Sequence, residues 1–160
     1  MVVWNCARRR LGKDFARDWD DEARERPRVL FESPDGAEAH AAWTVLRRHG
    51  YRTMWCPGPR ADAECALSTT GRCRLVEDAD AVVSALDLSE QSSQAVAREL
   101  DAVAEDKPVV VVAPRATASQ WADELRACRV VAGPLSAKVL IRSLDVAGAT
   151  PPVPAAPGSD

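Results

Sequence analysis

Short apolar runs recur along the central part of the chain and are separated by longer amphipathic segments. Each run is rich in β-branched residues and is bounded by turn-forming residues, which is typical of strands. The run "PVVVVA" is apolar throughout, as expected for a central parallel strand that is covered on both faces. The predicted strands span residues 28–32, 51–56, 80–86, 108–113 and 128–132.

The segments between these runs have the period of half-buried helices. Ala39, Ala42, Trp43 and Leu46 fall at positions i, i+3, i+4 and i+7 of the first segment. Asp35 stands where its side chain can cap the start of this helix. Comparable patterns predict helices at 37–50, 92–107, 117–127 and 136–147, and a two-turn helix at 60–67.

This alternation predicts a single α/β domain over residues 28–147. Strands that alternate with helices form a parallel sheet covered on both faces, because the crossover connections are right-handed. At this length the expected arrangement is a five-stranded, doubly wound sheet of the flavodoxin type, with strand order 2-1-3-4-5. The crossover between strands 2 and 3 contains several cysteines and is expected to be irregular, because Pro57, Gly58 and Pro59 interrupt its start.

Two flanking segments accompany the predicted domain. Residues 1–27 form an N-terminal arm, and residues 148–160 are rich in Pro, Ala and Gly, which predicts a disordered tail. The arm could form an amphipathic helix that docks on its own domain, or one that binds a partner; both interpretations stay open. Its apolar stripe recurs at every fourth residue: Leu11, Phe15, Trp19 and Ala23.

Composition and charge narrow the functional classes. The net charge of -3 provides no basic field, so nucleic acid is not an expected partner. No apolar run approaches the roughly 20 residues that span a bilayer, and the first residues lack the pattern of a secretion signal. We therefore expect a cytoplasmic protein in a reducing compartment, which disfavours structural disulfides. The 18 arginines against 3 lysines indicate a GC-rich genome.

One stretch near the end of the domain carries a family resemblance. "CRVVAGPLSAKVLIRSL" resembles the fifth strand, the Lys-Pro turn and the last helix of response-regulator receiver domains. Pro134 matches the proline of that turn, whereas Gly133 stands where the family has its lysine. The resemblance covers residues 28–147 in the order and spacing of the elements. It implies a receiver-like fold with a phosphorylation pocket at the carboxyl ends of the strands.

The other positions of that pocket are degenerate in this chain. The family has an acidic pair for Mg²⁺ after strand 1, and here that region reads Glu32, Ser33, Pro34 and Asp35. The hydroxyl-bearing residue at the end of strand 4 is replaced by Ala113.

The phosphoacceptor position is also altered. The spacing places it at Ala85, with Asp87 two residues later. Asp87 either reaches that position through a bulge or belongs to the start of the next helix, and the second interpretation is favoured.

These departures predict a pseudo-receiver: a non-enzymatic signalling module that acts through protein contact without aspartyl phosphorylation. Receivers often associate through their fourth helix, fifth strand and fifth helix, which correspond here to residues 117–147. That resemblance implies a homodimer as one form of the contact. An enzyme is disfavoured, because neither His40 nor His49 has a nucleophile at motif spacing.

The stretch "CPGPRADAECALSTTGRC" brings Cys56, Cys65 and Cys73 into the crossover between strands 2 and 3. The stretch is similar to cysteine-bearing crossovers of actinobacterial receiver-like proteins, which implies an actinobacterial source. In a regular crossover Cys56 and Cys73 lie at opposite edges of the sheet, roughly 17–20 Å apart. The spacing also matches none of the compact zinc patterns. We therefore expect three separate thiols and no cofactor.

An alternative function remains open for the same cysteines. The breaks at Pro57, Gly58 and Pro59 allow the crossover to fold back, which would bring the thiols together. They would then form a thiol-redox sensor or a metal sensor that holds zinc or an iron–sulfur cluster. A fourth ligand would have to come from Cys6, His49 or solvent.

Overall fold

The computed structural model describes residues 26–146 and residue 148. Most of the predicted N-terminal arm, with its apolar stripe, and the predicted tail after residue 148 lie outside the described residues. The strands are β1 (Arg28–Glu32), β2 (Arg52–Cys56), β3 (Ala81–Ser84), β4 (Val109–Ala113) and β5 (Arg129–Ala132). The helices are α1 (Gly36–Arg48), α2 (Ala66–Thr70), α3 (Arg74–Asp78), α4 (Gln91–Val103), α5 (Ala118–Glu124) and α6 (Ala137–Val146).

The strands form one parallel sheet in the order β2-β1-β3-β4-β5. This result confirms the predicted doubly wound arrangement. Alternate residues of each strand face opposite layers of the core. On β1, for example, Leu30 packs on one face, whereas Val29 and Phe31 pack on the other.

The helices cover both faces of the sheet. Buried residues of α1 and α6 pack on the face of Phe31, and those of α2, α3, α4 and α5 pack on the face of Leu30. Asp35 caps α1 as predicted, since its Oδ1 accepts hydrogen bonds from the amides of Ala37 and Glu38 at 2.8 and 3.4 Å. No helix among residues 26–146 is long and apolar enough to cross a membrane.

The crossover between β2 and β3 differs from the predicted helix at 60–67. Residues Arg60 and Ala63 pair in an isolated bridge, and two five-residue helices, α2 and α3, follow it. Gly71 separates these helices in the left-handed conformation, with φ of 71°. Each helix contributes one buried apolar anchor, Leu67 and Val76, to the core on the Leu30 face.

Candidate functional site

The carboxyl edge of the sheet brings the ends of three strands together on one face. Glu32 ends β1, and in the strand register it stands beside Cys56 on β2 and Ser84 on β3. All three share the face of Leu30, because side chains alternate along a strand. Ala113 ends β4 on that same face. This group occupies the place where doubly wound sheets commonly bind ligands.

Glu32 is a buried carboxyl group in the middle of this edge. Its residue is 3% exposed, and its Oε2 atom has no hydrogen-bond partner. Burial raises the pKa of Glu32 to about 7, and the nearby Ser84 hydroxyl lowers it only in part. The Ser84 hydroxyl is also buried and forms no hydrogen bond of good distance and angle. It therefore lies near Glu32 without a well-formed hydrogen bond to it. Two polar side chains at the centre of the site are therefore unsatisfied.

Ser33 and Asp35 follow Glu32, but their side chains are committed to the start of α1. The Ser33 hydroxyl donates to Glu38 Oε2 at 2.6 Å and accepts from the Asp35 amide at 3.1 Å. Asp35 uses its carboxylate for the helix cap. Glu32 at the end of β1 is thus the acid whose carboxyl group is buried at the sheet edge, whereas Asp35 lies at the surface.

Asp87 lies in the turn between β3 and α4 and is exposed. Its Oδ1 atom accepts hydrogen bonds from the Ser89 amide at 2.9 Å and the Ser89 hydroxyl at 2.7 Å. These bonds lower the pKa of Asp87. Ala85 follows the end of β3 and donates its amide to the Glu32 carbonyl at 2.7 Å. The carboxylate of Asp87 therefore holds a surface turn before α4, whose N-cap residue is Glu90.

The turn after β5 has the predicted proline without a lysine. Gly133 precedes Pro134 through a cis peptide bond, and its amide donates to the Ala113 carbonyl at 2.8 Å. A side chain at Gly133 would contact Val112 and the main chain of Ala113. This corner of the pocket consequently has neither an ammonium group nor a side-chain hydroxyl.

The cysteine crossover folds back towards the same edge. Cys56, Cys65 and Cys73 are half-buried and pack against one apolar core on the Leu30 face. Burial raises the pKa of Cys56 well above its usual value, and the charges of Glu32, Cys73 and Cys65 raise it further. Burial likewise raises the pKa of Cys73; the backbone amides of Val76 and Leu75 lower it in part, and the charges of Glu32 and Cys65 add to the increase. The three thiols thus border the same apolar core on the Leu30 face, and the expectation of three separate thiols stays a prediction.

Two local features explain why the crossover folds back. Gly58 has φ of 77°, and its backbone passes directly against the Leu86 side chain, which turns the chain back over the sheet edge. Cys65 and Cys73 then occupy the N-cap positions of α2 and α3. The Cys73 thiol lies against the backbone amides of Leu75 and Val76 at the start of α3.

The end of α3 is fixed by a lysine from the α4–β4 loop. Lys107 Nζ donates to the carbonyls of Val76, Glu77 and Ala79 at 2.6, 3.0 and 2.7 Å. These carbonyls would otherwise be unpaired at the helix C-terminus. Lys107 therefore anchors the cysteine-bearing crossover to the rest of the domain.

The other candidate ligands lie elsewhere. His49 is exposed at the end of α1, where its Nδ1 atom contacts the Val45 carbonyl at 2.9 Å. Cys128 immediately precedes β5 and lies beside Asp101; burial, followed by the Asp101 charge, raises the pKa of its thiol to about 12. Cys6 lies outside the described residues. As the side chains of residues 26–146 stand, no three of His, Cys, Asp or Glu are arranged to hold a metal ion.

The comparisons with solved structures identify the fold. The chain is similar to the chemotaxis protein CheY4 of Vibrio cholerae, with 13% identity, 76% of this chain and 98% of that chain covered, and a TM-score of 0.56. A response regulator receiver domain of Clostridium thermocellum matches with 13% identity, 76% and 93% coverage, and a TM-score of 0.56. A protein described as the pilus assembly protein CpaE of Burkholderia thailandensis matches with 19% identity, 78% and 99% coverage, and a TM-score of 0.56.

These similarities identify the fold class of the chain. The chain has the flavodoxin-like fold of the receiver domains, as its sequence pattern predicted. No protein-family model and no curated protein matches the chain. At these identities the similarity concerns architecture, and function has to be argued from the site.

Proposed function

We propose that this protein is a receiver-like signalling module that acts through protein contact and does not undergo aspartyl phosphorylation. One observation supports the proposal: Ala85 follows β3, Ala113 ends β4 and Gly133 follows β5, and at these positions the resemblance to receivers leads us to expect an acid, a hydroxyl and an ammonium group. Phosphoryl transfer depends on positioning and on charge neutralisation by such groups. Their joint replacement removes the means of phosphorylation and of responding to it.

The remaining acids do not replace the missing ones. A hard cation such as Mg²⁺ requires several oxygen ligands. Glu32 supplies one buried carboxyl group, while the carboxylates of Asp35 and Asp87 are held by backbone amides at the surface. The nearest acids are therefore engaged in local structure, which supports a module without the Mg²⁺-dependent reaction.

The surface formed by α5, β5 and α6 is the contact face that we assign to a second copy of the chain. β5 is an edge strand of the sheet, and its residues are exposed or half-buried. Val146 at the end of α6 is 61% exposed. It borders, together with Arg129, a shallow depression of about 410 Å³ that continues to Lys107 and Pro108. An apolar side chain beside such a depression suits a self-complementary interface.

Intact-mass analysis after incubation with acetyl phosphate and Mg²⁺ tests the absence of phosphorylation. We expect no added phosphoryl group on the wild-type protein. A variant that combines Ala85→Asp, Ala113→Thr and Gly133→Lys restores the missing groups. Phosphorylation of this variant would show that acetyl phosphate can reach the site. A stoichiometric phosphoryl group on the wild type that is lost in Asp87→Asn would overturn the proposal.

Sedimentation velocity over a range of concentrations tests the contact face. We expect a concentration-dependent dimer that Val146→Glu weakens, because a charge would be buried in the interface. Ala102→Glu places the same charge on an exposed position of α4 and should leave the dimer unchanged. A monomer at all concentrations, or equal effects of the two variants, would contradict this assignment.

A further inference from the structure

The described part of the chain begins beside the edge strand β2. The carbonyl of Pro27, just before β1, accepts a hydrogen bond from the Arg52 amide at 2.9 Å. Arg52 starts β2, which within the described residues pairs with β1 only and so forms one edge of the sheet. The Tyr51 amide donates to the Leu46 carbonyl at 3.0 Å, so the last turn of α1 is next to the same point. Residues 1–25 are therefore joined to the domain where β2 starts and α1 ends.

One side of α1 carries aromatic and basic side chains along this edge. His40, Trp43 and Arg47 fall at positions i, i+3 and i+7, so they share one side of the helix. The Trp43 ring stacks on His40 with centroids 6.0 Å apart, and the Arg47 guanidinium lies 4.7 Å from the Trp43 centroid. Gly36 belongs to the same side, and a Cβ atom there would meet the Trp55 ring of β2 at 3.8 Å. The α1–β2 surface thus consists of His40, Trp43, Arg47 and Trp55.

The α1–β2 surface is both apolar and basic. Its two tryptophans are half-buried, and its histidine and arginine are exposed. Arg48 and His49 extend the basic character to the end of α1. Glu38, the acid of this helix, lies in the first turn and accepts a hydrogen bond from the Ser33 hydroxyl at 2.6 Å. The surface therefore suits an acidic segment that also carries aromatic side chains.

The segment before β1 has the complementary composition. Residues 13–25 contain six acidic residues and three basic ones, and four of the acids surround Trp19 in the run "DWDDE" at 18–22. The apolar stripe predicted for the arm passes through Phe15 and Trp19. A helix with that stripe would turn one apolar side towards its neighbour and keep its acids at the border of the contact. Both the charge and the aromatic content of the segment thus match the surface beside which it is attached.

We propose that residues 11–25 lie along the α1–β2 surface of their own domain. The apolar stripe packs against Trp43 and Trp55, and the acidic run faces the basic end of α1. The length is sufficient, since fifteen residues of helix extend about 22 Å and a five-residue strand about 17 Å. Attachment at the start of β2 makes the contact intramolecular, which gives the segment a high effective concentration at this surface and favours it over a second copy.

This placement gives the arm a role at the sheet edge. An edge strand can pair with a strand of another molecule, and proteins commonly cover such edges. The arm closes β2 to pairing, whereas β5 at the opposite edge belongs to the contact face assigned above. The inference goes beyond that assignment and does not rest on it, because the two surfaces lie at opposite ends of the strand order.

Hydrogen exchange of the full chain, followed by mass spectrometry of peptic fragments, tests the proposal. We expect amides of residues 11–25 to exchange more slowly than those of an unstructured peptide, equally at low and high protein concentration. Arg47→Glu combined with Arg48→Glu places two acids beside the acidic run. This variant should accelerate the exchange of residues 11–25 by about 5-fold or more, the effect of losing two exposed ion pairs.

Two further variants separate this contact from general damage. Arg115→Glu combined with Arg126→Glu makes the same change of charge at exposed positions outside α1 and should leave the exchange of residues 11–25 as in the wild type. Asp20→Lys combined with Asp21→Lys, added to the α1 variant, reverses both partners and should restore slow exchange. Unchanged exchange of the α4 amides verifies that each variant folds.

Three results would overturn the proposal: exchange of residues 11–25 at the rates of an unstructured peptide, equal acceleration by the two arginine variants, or slow exchange that appears only at high concentration. The last would assign the segment to a second copy of the chain. None of these measurements depends on Val146 or on the phosphorylation assay, so failure of the arm contact and failure of the proposed function are distinguishable.

Discussion

Glu32 on β1 and Cys56 on β2 are register partners at the carboxyl edge of the sheet. This pairing places a buried carboxyl group beside the first cysteine of the crossover. Both residues lie at the edge where doubly wound sheets commonly bind ligands, so their chemistry is the starting point for the predictions below.

The first prediction concerns the burial of Glu32. Its pKa is raised from 4.5 to about 7, so the folded protein holds this proton more tightly than the unfolded chain does. The free energy of unfolding should therefore fall as pH rises through this window, by about 3 kcal/mol for a shift of this size. Glu32→Gln has no proton to lose, so urea unfolding should show its advantage over the wild type growing from pH 4.5 to about 7.

Glu105→Gln provides the matched control, since Glu105 is exposed in the α4–β4 loop. Its unfolding free energy should follow that of the wild type across the same window. A Glu32→Gln variant whose advantage does not change with pH would show that the carboxyl group is hydrated in the native protein.

The second prediction concerns the anchor of the crossover. Lys107→Met retains the length of the side chain and removes its three hydrogen bonds to the carbonyls at the end of α3. Leaving such carbonyls unpaired should cost about 1–3 kcal/mol of unfolding free energy. Hydrogen exchange should accelerate first in α2 and α3, which would identify the loss as local.

Lys138→Met on the exposed surface of α6 makes the same chemical change away from the crossover. It should alter neither the unfolding free energy nor the exchange of α2 and α3. Equal unfolding free energies and equal exchange rates in the two variants would contradict the anchoring role of Lys107.

The third prediction concerns the turn that brings the crossover back over the sheet edge. In Gly58→Ala the new Cβ atom would collide with the side chain of Leu86, which is 4% exposed. The left-handed φ of 77° adds a backbone cost. Together these should lower the unfolding free energy by roughly 2–4 kcal/mol in a chemical denaturation experiment.

Gly148→Ala has a similar positive φ, of 83°, but its Cβ would meet no atom within 4 Å. This control therefore carries the backbone cost alone and should be clearly milder. If Gly58→Ala is no worse than Gly148→Ala, the contact with Leu86 does not determine the path of the crossover.

The sequence predicted the sheet well because each strand has a local signature. Most residues of the apolar run in β4 are buried, and so are the helically spaced Ala39, Ala42 and Leu46. The hydrophobic pattern of the sequence therefore reflects which residues face the core. These features follow from periodicity alone, so no long-range information was needed.

The path of the cysteine-bearing crossover could not be predicted in the same way. Gly58 passes against Leu86, and Lys107 reaches the end of α3 from about thirty residues away in the sequence. Such long-range contacts produce no periodic pattern in the sequence. The register between β1 and β2 is likewise fixed by the tertiary fold, so the position of Glu32 beside Cys56 emerged only with the structure.

The most direct measurement is a titration of the wild-type protein with beryllofluoride and Mg²⁺, followed by two-dimensional ¹H–¹⁵N spectra. Beryllofluoride imitates an aspartyl phosphate and requires the acid, the hydroxyl and the ammonium group of a working receiver. With Ala85, Ala113 and Gly133 at those positions, we predict that the amide signals after β3, β4 and β5 keep their positions at saturating ligand. Saturable, Mg²⁺-dependent shifts of these signals that vanish in Asp87→Asn would contradict a phosphorylation-independent function.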